Sequence, residues 1–278
     1  MLAYDFMIRA FAASGMVAVV AGTVGYLLVL RGQTFAGHAL AHVAFAGATG
    51  AALVGAAPLA GVLAFTVGAG VVMGLLGERL SGRDVVIGIV LALSLAFGIL
   101  FLRLGGGSAA QATSLLFGSV LAIAPAILTS LLALAVATLA ALAVISRPLV
   151  LASLQPELAE AKGVPVRAIG TGFLALVALT VAQSIQIVGV LLVFTLMVGP
   201  PAAAQLLTTR LGAGLALAAG LALAQAWLGI VVSYYTDWPT GFCIATLSAL
   251  VYFAAVGLNR RNGRGRSATQ SQPVPPIV

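Results

Sequence analysis

The sequence predicts an all-α polytopic membrane protein with about nine transmembrane helices, or eight on the alternative count. Three observations carry this. Hydrophobic residues occupy 62% of the 278 positions. Charged residues occupy 7%, against about 25% in a soluble domain. With so few charges there is no polar coat for an aqueous surface, so the apolar surface must face lipid. Finally, the apolar runs recur at the length of roughly twenty residues that a bilayer crossing needs, and Lys and Arg sit between them.

Taken in order, the runs are 11–30, 35–55, 57–77, 85–103, 120–145, 168–184, 187–207, 212–235 and 239–258. The first begins after Asp5 and a lone Arg9, with no A-x-A cleavage signal, and reads as a retained span. His38 and His42 weaken the second. Only Gln183, Ser184 and Gln186 part the sixth from the seventh, so these two are either separate spans or one long broken helix. The expected organisation is a membrane domain over 1–258 and a disordered cytoplasmic tail over 259–278, rich in Arg, Ser, Gln and Pro.

The charges orient the chain. With the N-terminus outside, nine spans place Arg31, Arg79, Arg83, Arg147, Lys162, Arg167, Arg210, Arg260, Arg261, Arg264 and Arg266 inside, leaving only Arg9 and Arg103 outside. Eleven of thirteen is a strong positive-inside bias. The formal charge of +7 therefore speaks for orientation and lipid contact rather than nucleic acid. The single cysteine, Cys243, excludes an intramolecular disulfide and reads as a packing residue.

Three features remain. Arg147–Arg167 is the longest inward segment; Pro148 is expected to close the preceding span, and Pro156 to open a short amphipathic turn ended by Gly163 and Pro165. Glu157 and Glu160 near its start and Lys162 near its end suit a helix dipole. Either it is a solvated interfacial loop, or a short helix gripped by a cytoplasmic partner. His38 and His42, in G-H-A-L-A-H, stand at i, i+4 on one helical face among small residues that allow close helix approach. Imidazole is a good zinc ligand, and two copies about a two-fold axis would bring four together; the alternative is that both only pack against neighbouring spans. Pro200 and Pro201 remove two backbone donors and are expected to break a helix.

What is missing also narrows the function. No phosphate-binding loop and no nucleophile–base pair is present, so any ATP must be hydrolysed elsewhere. The acids Asp5, Glu78, Asp84, Glu157, Glu160 and Asp237 all fall at span ends or in loops, which weighs against coupling to an ion gradient.

Several stretches together resemble the membrane permease subunits of ATP-binding-cassette importers for zinc and manganese: G-H-A-L-A-H at 37–42, S-L-L-F-G-S at 114–119, P-E-L-A-E-A-K-G at 156–163, G-V-L-L-V with P-P-A-A-A-Q-L-L across 189–207, and S-Y-Y-T-D-W-P-T-G at 233–241. The resemblance implies a fold like that of the cobalamin and siderophore importers, a homodimer in a bacterial cell membrane, cytoplasmic ATP-binding subunits, and an extracytoplasmic receptor that delivers the metal. It implies no permanently bound cofactor, Zn²⁺ or Mn²⁺ being cargo in transit. It also implies that about 150–165, with Gln155, Pro156, Glu157, Glu160, Lys162 and Gly163, is the segment that couples to the ATPase. The family motif usually has Asp where this chain has His38, and Ser where it has Ala41; His42 is retained. Four neutral nitrogens favour zinc where two carboxylates would suit manganese. Uptake of a metal chelate through the same architecture, or a non-transporting membrane scaffold, are the alternative readings.

Overall fold

A computed structural model describes residues 4–76, 83–106 and 125–270 of the chain. Arg79, the S-L-L-F-G-S stretch and residues 271–278 lie outside the described residues. Within them the chain forms α1 (Asp5–Leu30), α2 (Thr34–Leu53), α3 (Pro58–Leu76), α4 (Arg83–Leu104), α5 (Pro125–Leu154), α6 (Pro156–Ala161), α7 (Val166–Leu207), α8 (Leu211–Thr236) and α9 (Thr240–Gln270). Helix is the expected form, because in lipid only a helix or a closed barrel satisfies every backbone donor and acceptor.

Eight segments are long and apolar enough to cross a membrane, two of them being the halves of α7, 166–185 and 187–207. The twenty-residue α2 is also bilayer-length, at about 1.5 Å per residue, but is not among the eight. Its two histidines and its glycines lower its hydropathy.

Side-chain contacts fix the direction of each helix. Gly61 meets Ala51 and Gly47 meets Phe65, so α2 and α3 are antiparallel; Gly98 meets Phe45 and Gly50 meets Phe101, so α4 runs parallel to α2. Gly22 meets Ala218 and Gly15 meets Trp227, which makes α8 antiparallel to α1. The bundle therefore has an Arg31 face and an Asp237 face. Arg31, Arg147, Lys162, Arg167, Arg210 and Arg260 fall on the first, Arg9 and Arg103 on the second.

The direction of α7 is less obvious. Near its start, Phe173 lies beneath the Arg31 guanidinium; near its end, the Gln205 side-chain nitrogen donates to the Tyr26 carbonyl at 2.9 Å. A straight helix would set residues 173 and 205 about 48 Å apart at 1.5 Å per residue. Tyr26 and Arg31 are about 8 Å apart along α1 by the same rise. The helix must fold back on itself. It does so at Gly189, whose φ of 77° and ψ of 168° interrupt the helical backbone, in a region open essentially only to glycine. The sixth and seventh apolar runs are thus two legs of a hairpin, not one long broken helix.

This hairpin is the core. Its legs bury 67% and 71% of their spans and α1 buries 72%, whereas α3, α4, α5, α8 and α9 bury 17–33%. It touches α1, α2, α3, α5, α8 and α9.

Two expectations need correction. Pro200 and Pro201 lie within helical backbone, and the interruption falls at Gly189 instead. Pro201 leaves the Met197 carbonyl without its i+4 donor, and that oxygen is what a Cβ on Gly25 would strike; glycine lets α1 close in to give a Cα–H···O contact. Pro148 does not end its span either, since α5 runs through it to Leu154. The carbonyl it deprives belongs to Val144, which is 79% exposed and close to the Arg147 boundary, where polar groups can reach it. Helix α9 is drawn as far as Gln270.

Gly189→Ala should lower the thermal unfolding temperature in detergent, at a cost of about 1–3 kcal/mol for a side chain held in that backbone region. The same change at Gly172, a helical site with open space around it, should be neutral or stabilising.

Candidate metal pathway

Two histidines stand on α2, and the hairpin forms the wall beside them. His38 and His42 are one turn apart and both half-buried. Their ring centroids are 4.8 Å apart with planes at 82°. Two imidazoles sharing one tetrahedral ion at the usual zinc–nitrogen distance have centroids about 5 Å apart, so this spacing is open to a common ion. Phe194, on the second leg of the hairpin, sets its ring 4.9 Å from His38 at 65°, and Phe35 lies 6.5 Å away on the other side, nearly parallel. The His42 Nδ1 is buried and has no hydrogen-bond partner. A histidine kept only for packing would carry that vacancy at a cost of about 1–3 kcal/mol.

No group of three or more His, Cys, Asp or Glu able to hold a metal occurs among the described residues. Among the described residues the pair thus stands as two nitrogen ligands with no third side chain of these types beside it. Cys243 is buried and free, as expected of a packing residue.

The second feature lies on the Arg31 face. Gln155 precedes α6 and Pro156 opens it. The helix closes with the Gly163 amide donating to the Glu160 carbonyl and the Val164 amide to the Ala159 carbonyl, each at 2.9 Å. With Gly163 at φ 74°, this is the Schellman arrangement, which satisfies the final carbonyls of so short a helix. Ala159 is buried, whereas Gln155, Pro156, Glu157, Glu160, Lys162 and Gly163 are exposed. So one small residue docks the helix on the bundle and the acids point away. Pro200 and Pro201 lie further along the same leg as Phe194.

Phe194, Gly189 and Arg31 were not singled out in the sequence as site residues. The glycine had a signal, standing just after the polar interruption Gln183–Gln186. Phe194 had none, because an aromatic in an apolar run reads as core.

Apolar helices of bilayer length packed around a reversing pair define a multi-pass membrane protein. Residues 3–259 match the family model described as the ABC 3 transport family, and the chain belongs to that family. It is 30% identical over 277 residues to a manganese transport system membrane protein of Halalkalibacterium halodurans, covering 97% of this chain and 95% of that one. It is 31% identical over 259 residues to a chelated iron transport system membrane protein of Yersinia pestis, covering 92% and 86%. The solved structure of PsaBC from Streptococcus pneumoniae has the same fold, with a TM-score of 0.81, 24% identity and 91% of each chain covered. The protein is thus a multi-pass membrane permease of a metal-transport family.

His42→Leu keeps the bulk of the side chain and removes the unpartnered nitrogen. Thermal unfolding of the purified, metal-free protein should show equal or slightly greater stability than the parent, by about 1 kcal/mol.

Proposed function

We propose that the chain is the pore-forming permease of an ATP-driven importer of divalent transition-metal ions, working as a homodimer with zinc favoured over manganese. The observation that carries this is the His38–His42 pair, with its buried, unpartnered nitrogen, held against the central hairpin within the span. Two such pairs facing across a two-fold axis make a four-nitrogen site, which suits zinc in geometry and softness. Neutral ligands leave the ion's charge uncompensated, so it is held weakly enough to leave, as transport requires. The manganese-named relative leaves the family's cargo broad; the histidine at the usual Asp position is what tips this chain toward zinc.

The energy comes from separate ATP-binding subunits docked on the exposed face of α6, where Glu157 and Glu160 meet basic groups. The Arg31 face is cytoplasmic by the positive-inside bias. A metal-loaded receptor meets the Asp237 face, where Tyr234, Tyr235 and Trp238 are exposed.

Metal uptake into cells lacking other zinc systems tests the site. His42→Ala should nearly abolish uptake at normal membrane levels. His38→Asp should keep transport while shifting preference toward manganese. Full expression with an unchanged zinc-over-manganese ratio would remove His38 from the site. The docking assignment is tested separately. Glu157→Lys with Glu160→Lys should abolish co-purification of the ATPase and leave the permease in the membrane, whereas intact co-purification would refute it.

A further inference from the structure

Arg31 stands one residue beyond α1, at the junction of three elements. Its Nη1 donates to the Ser153 Oγ at 2.8 Å, and its guanidinium carbon lies 5.7 Å from the centre of the Phe173 ring. Ser153 in turn donates to the Leu149 carbonyl, so its hydroxyl is used in both directions and each bond polarises the other. Ser153 is three residues before Pro156, where α6 opens. Phe173 is fully buried at the base of the first hairpin leg. The other described basic residues of this face, Arg147, Lys162, Arg167, Arg210 and Arg260, are exposed, whereas Arg31 is half-buried. An arginine serving only as an interfacial anchor needs headgroups. It has no need of a hydroxyl on one helix and a ring on another.

We propose that Arg31 is a positioning residue that locks the α5–α6 junction to the base of the α7 hairpin, so that displacement of α6 by a docked ATPase is passed to the helix pair that walls the histidines. The inference rests on the reading of α6 as the docking segment. The connection is short and made of parts already described. The base of the first leg carries Phe173, and the leg continues to the reversal at Gly189. The returning leg then places Phe194 on His38. A charge-assisted hydrogen bond and a cation–π contact are both directional, so the three elements hold one relative placement while the lock is closed. Opening it would let α6 move without the hairpin.

The test uses the permease reconstituted with its ATP-binding subunits in vesicles, with Zn²⁺ uptake and ATP hydrolysis measured on the same preparation. Arg31→Ala and Ser153→Ala should each leave ATPase association and basal hydrolysis intact, while zinc carried per ATP falls on the order of tenfold, the scale of one charged hydrogen bond. Ser153→Thr, which keeps the hydroxyl, should restore the ratio. An unchanged ratio in both alanine variants would overturn the proposal, as would loss of ATPase association in both, which would make the contact merely structural. Should Arg31→Ala fail to accumulate, Ser153→Ala decides alone, since it leaves the arginine in place. Failure of the docking reading has a different signature: the Glu157→Lys, Glu160→Lys permease would then bind its ATPase normally, and the lock would fall with that reading.

Discussion

The return of α7 on itself at Gly189 is the constraint that the remaining helices satisfy. The reversal breaks the helical ladder where Ile187, Val188 and Val190 are buried, so the backbone groups set free there find no bulk water. Such a turn survives only when wrapped in protein, and the other helices supply the wrapping. This explains why α1, α2 and both legs are the most buried elements, and why α3, α4, α5, α8 and α9 form an outer shell whose burial never exceeds a third. It also explains where the small residues fall. Gly70 and Gly74 of α3 lie against Leu174, Ala178 and Thr171 of the first leg, and Gly25 of α1 and Ser248 of α9 crowd the second at Met197 and Gly199. Between helices in lipid there is no hydrophobic force, so close backbone approach does the work.

The same arrangement makes sense of the prolines. In isolation Pro200 and Pro201 cost the second leg two hydrogen bonds. In the bundle the Met197 carbonyl faces Gly25 instead, so the strain of the missing donor is met by a neighbouring helix. Proline and glycine act here as a complementary pair across an interface, not as punctuation within one helix.

The sequence made the helices themselves easy to read, because span length and hydropathy are properties of one segment at a time. Direction is not. Whether 166–207 runs straight or doubles back depends on a single glycine dihedral and on contacts made by Phe173 and Gln205 with residues over a hundred positions away. Apolar periodicity is the same in both cases. The proline errors have the same origin: local rules predict termination, and tertiary packing overrides them. The histidine pair was legible from its i, i+4 spacing, whereas Phe194 was not, since only the fold reveals which side of a buried aromatic meets an imidazole. The exposed turn of α6 was legible in full, because Pro156, the acids and Gly163 are local signals that act where they stand.

Helix α2 has a history as well as a position. It is bilayer-length, yet it carries two imidazoles and so many small residues that it is not one of the segments apolar enough to cross alone. Only four residues, 54–57, separate it from α3, and Gly47 and Gly61 let the two backbones touch. During synthesis the partition of α2 into lipid is thus poor until α3 emerges to cover it, and the two are best inserted as a paired hairpin. The two imidazoles and many small residues of α2 make it a poor substrate for the insertion machinery. The burden of carrying it into the bilayer falls on its more oily neighbour.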